Sequence, residues 1–465
     1  ALGRGSGALT SGRNAERLAD ALCRMRGAAL KLGQMLSMQD ESVVPGPLSA
    51  ALERARGAAD AMPREQLGEA LAAGLGADWR AKFAEFEDRP CAAASIGQVH
   101  RAWVRPEMLA EPELEKGPGQ HSSAHAEPAT SSSPPCAPPS VQVAVKVQYP
   151  GVAQSIQSDV DNLLRLVYVS KLLPRGMYVE NMARVAKAEL LAECDYGAEA
   201  AAQARMAALV AAHPKLRGRV SVPRPLLALS GPGVLTTTWA EGEPLDRAQA
   251  LGREERDALG ETLLRLTLAE LFDWRFMQTD PNWGNFVYHS PSQTLHMLDF
   301  GAAREFSRDF VRRYLRMVAA CARGDEAAIL HWSLDMGFLT GEEAPEMLDA
   351  HARAAGVVGM PFAERHLESG YDFAEHGEKT KDVTRLGSVM LKHRLTPPPD
   401  ESYSLHRRLS GAILACIKLR ANVRACALFK QVCARHDPEL VRLNQEGLRE
   451  DVPRELYDTM MRHRA

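Results

Sequence analysis

A chain of 465 residues is long enough for two or three domains with a substantial core. A net charge of −3 supplies no bulk attraction to nucleic acid or to an anionic membrane, so nucleic acid is not an expected partner. Eight cysteines (23, 91, 136, 194, 321, 416, 426, 433) make no CxxC pair, which argues against zinc and disulfide frameworks and for a reducing compartment. No run of about 18 apolar residues is present, so no membrane-spanning helix is expected. The chain begins at Ala1 rather than at a Met, and a removed upstream segment is expected.

Residues 13–38 read as one helix. Leu18, Leu22, Met25, Ala29, Leu32 and Leu36 make an apolar stripe at three- and four-residue steps. The opposite face holds Gly27, Lys31, Gln34 and Met38. So few charges suggest a second packed face, although an ordinary exposed Lys and Gln fit the pattern equally well. Helical segments are expected to continue to about residue 87, broken near Pro45-Gly46-Pro47 and at Pro63.

From Cys91 the texture changes. CAAASIGQVHRAWV reads as strand, turn, strand, with Ala92, Ala93, Ala94, Ser95 and Gly97 in the turn. Small side chains there suit either a phosphate approaching the backbone or a close-packed core turn. Residues 105–140 are rich in Pro, Ser, Gly, Ala and Glu and read as a disordered insertion. VQVAVKVQY (141–149) is the clearest strand, with alternate valines on one face and Gln142, Ala144, Lys146 and Gln148 on the other.

Helices are expected over 155–172 and 179–211. Glu193, Asp195 and Glu199 cluster in the second, where Asp195 and Glu199 share a face; this reads either as a plain solvated face or as a buried helix packing on the Lys146 strand and supplying its ion-pair partner. VSVPRPLLALSGPGVLTTTW suggests two strands around a Gly-Pro turn. AEGEPL would then link to a helix over 253–277.

Gln278–Phe306, QTDPNWGNFVYHSPSQTLHMLDFGAAREF, carries the strongest chemical signal. Asp280 and Asn285 are five apart, and Asp299 of a DFG tripeptide lies fourteen residues further, across a hairpin-sized gap. Kinase-type phosphoryl transfer uses that order: an Asp for the acceptor, an Asn for one magnesium, a DFG Asp for the other. DFG alone is weak; the ordered set is much stronger. Only AAREF separates Gly301 from a Ser307 N-cap and a helix over 308–323. That leaves no activation segment and no APE, and so no peptide platform. The remainder is mostly helical, interrupted by a Pro-rich turn at 395–403.

The stretches AALKLGQMLS, AAASIGQVH, VAVKVQYPGV, ECDYGAEA, MQTDPNWGNF, LDFGAAREF and LTPPPDESYSLHR together resemble the UbiB (aarF-domain) atypical kinase family, nearest its mitochondrial coenzyme Q branch. The resemblance implies an α+β, two-lobed protein-kinase-like fold: a helical KxGQ extension over 1–88, a small β-rich lobe over 89–240 and a helical lobe over 241–465. ATP would lie between the lobes. It implies Lys31 and Gln34 as KxGQ residues and Glu193 and Asp195 as the ExD motif, with a Lys31–Glu193 pair. Ala92, Ala93, Ala94 and Ser95, with Lys146, Thr238, Trp239 and Ala240, would bind ATP. Glu199 would pair with Lys146, Asp280 would be catalytic, and Asn285 and Asp299 would hold Mg²⁺. Implied partners are ATP or ADP, a quinone-precursor lipid, a membrane surface and quinone-biosynthesis proteins. The implied location is the matrix face of the mitochondrial inner membrane, with a plastid as the alternative.

Overall fold

The computed structural model describes residues 61–109, 140–170, 178–280 and 282–446. The expected 13–38 helix, with Lys31, Gln34 and the Lys31–Glu193 pair, lies outside them, as does most of the 105–140 insertion. The described start of that insertion is not irregular: Pro106–Leu109 forms a turn of 3₁₀ helix.

The chain divides into two compact units. Among the described residues, one unit holds 61–109, 140–150 and 224–239, and the other holds 151–170, 178–223, 240–280 and 282–446. Boundaries drawn in chain order at 88 and 240 differ from this division. Residues 61–88 join the sheet, while the helices of 151–223 join the larger unit.

The smaller unit is built on an antiparallel sheet with strands in the order Glu85–Phe86, Gly97–Val104, Val141–Gln148, Val234–Thr238; Ala92–Ala93 adds to Gly97–Val104. The alternation in VQVAVKVQ works as expected. Val143, Val145 and Val147 are fully buried, against Leu67, Leu71 and Leu75 of helix Arg64–Leu75. Trp79, Phe83 and Phe86 close one end edge to face, with ring centroids 5.1–6.4 Å apart. Helix does not continue to residue 87, because Glu85–Phe86 pairs with Ala102 and Trp103.

The larger unit is mainly helical. Helix Arg253–Leu268 buries Leu259, Leu263 and Leu266 and packs on helix Asp400–Leu419. It stops at Leu268, short of the expected 277. A π-turn over Ala269–Asp273 follows, and then strand Phe276–Gln278. Val220–Ser221 and Val234–Thr238 do not form a hairpin. Val220–Ser221 instead pairs in parallel with Leu295 and His296, in a sheet ordered Val220–Ser221, Thr294–Met297, Phe286–His289, Glu243–Pro244. Helix Arg308–Arg323 starts where expected, with the Ser307 hydroxyl accepting from the Phe310 N–H at 3.2 Å. The Pro-rich turn is shorter than expected, since helix Asp400–Leu419 begins directly after Pro399.

Two histidines in this unit are held neutral. His351 Nε2 lies 2.8 Å from the Ser333 hydroxyl, and His406 stacks on Phe338 with centroids 5.6 Å apart. Burial, with the Arg394 guanidinium nearby, pushes His351 down to about 3 and His406 down to about 4. An unfolded chain would protonate both near pH 6.5, so the native state binds fewer protons below that pH. Stability is therefore full above pH 6.5 and falls as pH drops toward 4. Each ring can contribute a slope of up to about 1.4 kcal/mol per pH unit. Urea unfolding between pH 7 and pH 4.5 should show this decline, and His406→Phe should flatten it; an unchanged slope would contradict the assignment.

Candidate phosphotransfer site

Lys146 sits mid-strand in Val141–Gln148, opposite Val99 on one side and Leu235 on the other. Its side chain points away from the valine face and is half-buried. The small-residue turn is tighter than expected. Ala92 and Ala93 form a short exposed strand paired with Val99 and Gln98, and Gly97 already belongs to the next strand. The turn itself is Ala94 to Ile96, closed by the Ala94 N–H to the Gly97 carbonyl at 2.9 Å. Ala94 and Ser95 are half-buried. Gly97 is required by close approach: a Cβ there would lie 2.3 Å from the Val147 carbonyl oxygen, immediately beside Lys146.

Thr238 ends the last strand of this unit opposite Val143, and its hydroxyl accepts from the Arg224 N–H at 2.9 Å. The Trp239 N–H donates to the Gln142 carbonyl at 3.3 Å, and its ring lies under the Arg101 guanidinium at 4.9 Å. Ala240 is the first residue of the larger unit. The chain therefore passes from one unit to the other at the three residues counted with the ATP-binding set.

The acidic cluster is not one helical face. Helix Val179–Glu193 ends, and helix Tyr196–Ala212 starts after Asp195. Asp195 is exposed and caps the second helix, with Oδ1 accepting from the Ala198 N–H at 2.9 Å. Glu193 and Glu199 are both buried, contrary to a solvated face. Glu199 Oε1 accepts from the Phe300 N–H at 3.4 Å, inside the DFG tripeptide. Gly301 faces Glu193: a Cβ on Gly301 would come within 3.1 Å of Glu193 Cγ and 3.5 Å of Asp299 Oδ1. Glu193, Glu199 and the DFG loop therefore meet in one place.

Asp280 and Asn285 are joined directly, Asn285 Nδ2 donating to Asp280 Oδ2 at 3.2 Å. The other Asp280 oxygen accepts from the Asn282 N–H at 3.2 Å. The loop ends in a 3₁₀ turn, Trp283–Asn285, capped by Asn282. Asp299 Oδ1 accepts from its neighbour Gly301 N–H at 3.0 Å. The Asn285 carbonyl accepts from the Leu298 N–H at 2.9 Å, tying the end of the first loop to the start of the second.

Hard oxygen donors of this type, one carboxylate and one amide, suit magnesium. Among the described residues no group of three or more His, Cys, Asp or Glu side chains could hold a metal by itself. The donor set fits an ion held by two side chains with phosphate oxygens completing its shell, as Mg²⁺ usually is.

Several supporting residues escaped sequence reasoning. Glu270, fully buried, accepts two bonds from Arg408, at 3.1 and 2.8 Å, and one from the Gln278 N–H at 3.1 Å. Burial raises the Glu270 carboxyl above the usual carboxylate range, and Arg408 opposes this. All three bonds are donated to Glu270, two to one carboxyl oxygen and one to the other. Arg407 Nε donates to the Thr279 carbonyl at 3.2 Å, and its Nη2 to Glu189 at 2.7 Å. A signal existed: a lone Glu in the apolar run TLAELF and paired arginines in SLHRRLS are where buried charge would sit.

The family model for the ABC1 atypical kinase-like domain matches residues 54–108 and 138–333. The chain belongs to the ABC1 atypical kinase-like family. Its UbiB resemblance and kinase-like fold are thereby borne out. An ABC1 relative, the mitochondrial atypical kinase COQ8B of Rattus norvegicus, is 42% identical over 432 residues, 93% of this chain and 74% of the relative. The mitochondrial atypical kinase COQ8 of Saccharomyces cerevisiae is 36% identical over 92% of this chain and 77% of its own length. COQ8B of Danio rerio is 40% identical, and the chain spans only 61% of it. Among solved structures, the Rv3197–erythromycin complex of Mycobacterium tuberculosis matches with a TM-score of 0.55. It is 23% identical and covers 90% of this chain and 95% of that one, a likeness of fold.

The cap at Asp195 can be tested by stability alone. Asp195→Ala should lower stability by about 1 kcal/mol and Asp195→Asn by much less, read from urea unfolding. Equal losses in the two variants would remove the capping role.

Proposed function

We propose that this protein is a magnesium-dependent, ATP-binding phosphotransferase or ATPase that supports ubiquinone (coenzyme Q) biosynthesis. The observation that carries the reading is the direct Asp280–Asn285 hydrogen bond in a loop tied to the DFG segment. The names of the COQ8 relatives support the pathway, and their mitochondrial designation supports a mitochondrial location, which we place at the matrix face of the inner membrane. Among the described residues no helix is long and apolar enough to cross a membrane.

In this reading Lys146 binds the α- and β-phosphates of ATP. The Ala92–Ser95 stretch lets a phosphate come close to the backbone, because its side chains are small. Asn285 and Asp299 hold Mg²⁺, which when bound offsets the negative charge of the phosphates. Asp280 accepts the proton of the attacking hydroxyl or water. The new O–P bond forms at the γ-phosphorus as the bond to the β,γ-bridging oxygen breaks, and ADP leaves with that electron pair. Ala303–Glu305 pairs straight back onto Phe276–Gln278, and helix Arg308–Arg323 follows at once. That leaves no chain for a peptide-binding segment after the DFG tripeptide. Water, a small molecule or a lipid hydroxyl is therefore favoured as acceptor over protein, with a quinone-precursor lipid the suggested class.

Two variants test this. Wild type should melt higher with Mg²⁺ and ADP or ATP, and Asp299→Asn should abolish that gain; an undiminished shift would remove the metal assignment. Asp280→Asn should keep the nucleotide shift while ATP turnover drops by about 10²-fold or more. Rescue of ubiquinone synthesis by this turnover-dead variant would replace the enzyme reading with a nucleotide-gated scaffold. Phosphate transfer to a partner protein in trans would indicate a protein kinase.

A further inference from the structure

The loops carrying Asp280 and Asp299 meet at one buried side chain. Gln278 is 2% exposed. Its Nε2 donates to the Asp299 carbonyl at 3.0 Å, and its Oε1 accepts from the Asp280 N–H. One amide thus spends its donor on the metal-binding loop and its acceptor on the acceptor-binding loop. We propose that Gln278 is a positioning residue that sets Asp280 and Asp299 in register, so that the metal and the proton acceptor are held in one fixed relation. The inference rests on the Mg-ATP reading above.

The chemistry of the side chain supports this. The side chain itself is buried, and the bond from the Asp280 N–H lies wholly inside, so that N–H has no route to water if the amide is lost. At that length only a carboxamide offers a donor and an acceptor side by side. A glutamate could still accept from Asp280, but it would set a carboxylate against the Asp299 carbonyl. A methionine could fill the space and do neither.

The Gln278 backbone is held with equal care. Its N–H donates to Glu270 at 3.1 Å, and the residue pairs with Ala303 in the short sheet. Arg408 donates twice to Glu270, and Arg407 holds the adjacent Thr279 carbonyl. The Thr279 hydroxyl donates to the Ala302 carbonyl at 2.8 Å, adding a second tie between the two loops. The π-turn over Ala269–Asp273 carries Glu270 within this set; such turns recur at functional sites. The carboxamide therefore stands on a rigid, charge-balanced base, as a group that orients metal ligands must.

The test titrates Mg²⁺ at fixed ADP and follows the thermal shift, with Mn²⁺ paramagnetic resonance as a second readout of the metal. Gln278→Glu and Gln278→Met are compared with Leu263→Ala, a core variant in helix Arg253–Leu268, outside both loops in sequence, that is expected to melt lower. Both Gln278 variants should need about 10- to 100-fold more Mg²⁺ for half of the shift. Their kcat for ATP turnover should fall with little change in the KM for ATP. Leu263→Ala should keep the wild-type metal midpoint despite its lower melting temperature. Wild-type metal midpoints in the Gln278 variants, or a Leu263→Ala midpoint shifted as far, would overturn the positioning role. If the Met variant does not fold, the nearly isosteric Glu variant decides by the same criteria. Absence of any Mg-nucleotide shift in wild type would instead overturn the underlying Mg-ATP reading.

Discussion

The buried pairing of Glu270 with Arg408 is the constraint on which the catalytic half of the larger unit depends. A carboxylate and a guanidinium removed from water are tolerated only when their hydrogen-bonding positions are filled. Arg408 fills one Glu270 oxygen twice, and the Gln278 N–H fills the other. Burial thus turns an electrostatic liability into a geometric demand: strand Phe276–Gln278 must lie where its N–H can complete the pair. The strand then places Asp280 at its exit, and its antiparallel partner Ala303–Glu305 fixes the exit of the DFG segment.

This arrangement explains how short loops keep a defined shape. The described ends around Asp280 and Asp299 are rich in polar groups, which would compete for water if left open. Here they satisfy one another: Asn285 with Asp280, Asn282 with Asp280, Gly301 with Asp299, and Glu199 with Phe300. Small residues matter where groups crowd, as at Gly301 against Glu193. The smaller unit applies the same economy to the lysine strand. A row of buried valines anchors one face, and Gly97 lets a neighbouring strand approach Val147 without a Cβ in the way.

Local physics made much of this legible. Period-two alternation located Val141–Gln148 and left Lys146 on the face away from the core. The Ser307 cap marked the start of helix Arg308–Arg323 because an N-cap hydroxyl answers to neighbours in the chain. The hairpin between Asn285 and Asp299 followed from spacing. Local reasoning misled where partners are distant. For Glu193 and Glu199 periodicity leaves solvated and buried readings open, because it cannot register the DFG loop that meets Glu199. Good helix formers over 179–211 predict one continuous helix, yet Asp195 caps a new start within it.

The sequence by itself determined the residue types and their order: a lysine on an alternating strand, an Asp and an Asn five apart, a DFG Asp beyond a hairpin, and no room for a peptide platform. These are short-range patterns, set by side-chain period, turn chemistry and covalent spacing. Only the tertiary structure decided which polar groups are buried and who satisfies them. Gln278 reaches the Asp299 carbonyl, Arg408 reaches Glu270, and Arg407 reaches Thr279, all across long stretches of chain. The physical reason is that an unsatisfied buried polar group is expensive wherever its partner lies in the sequence. Its partner is therefore chosen by packing in space, which no local pattern records.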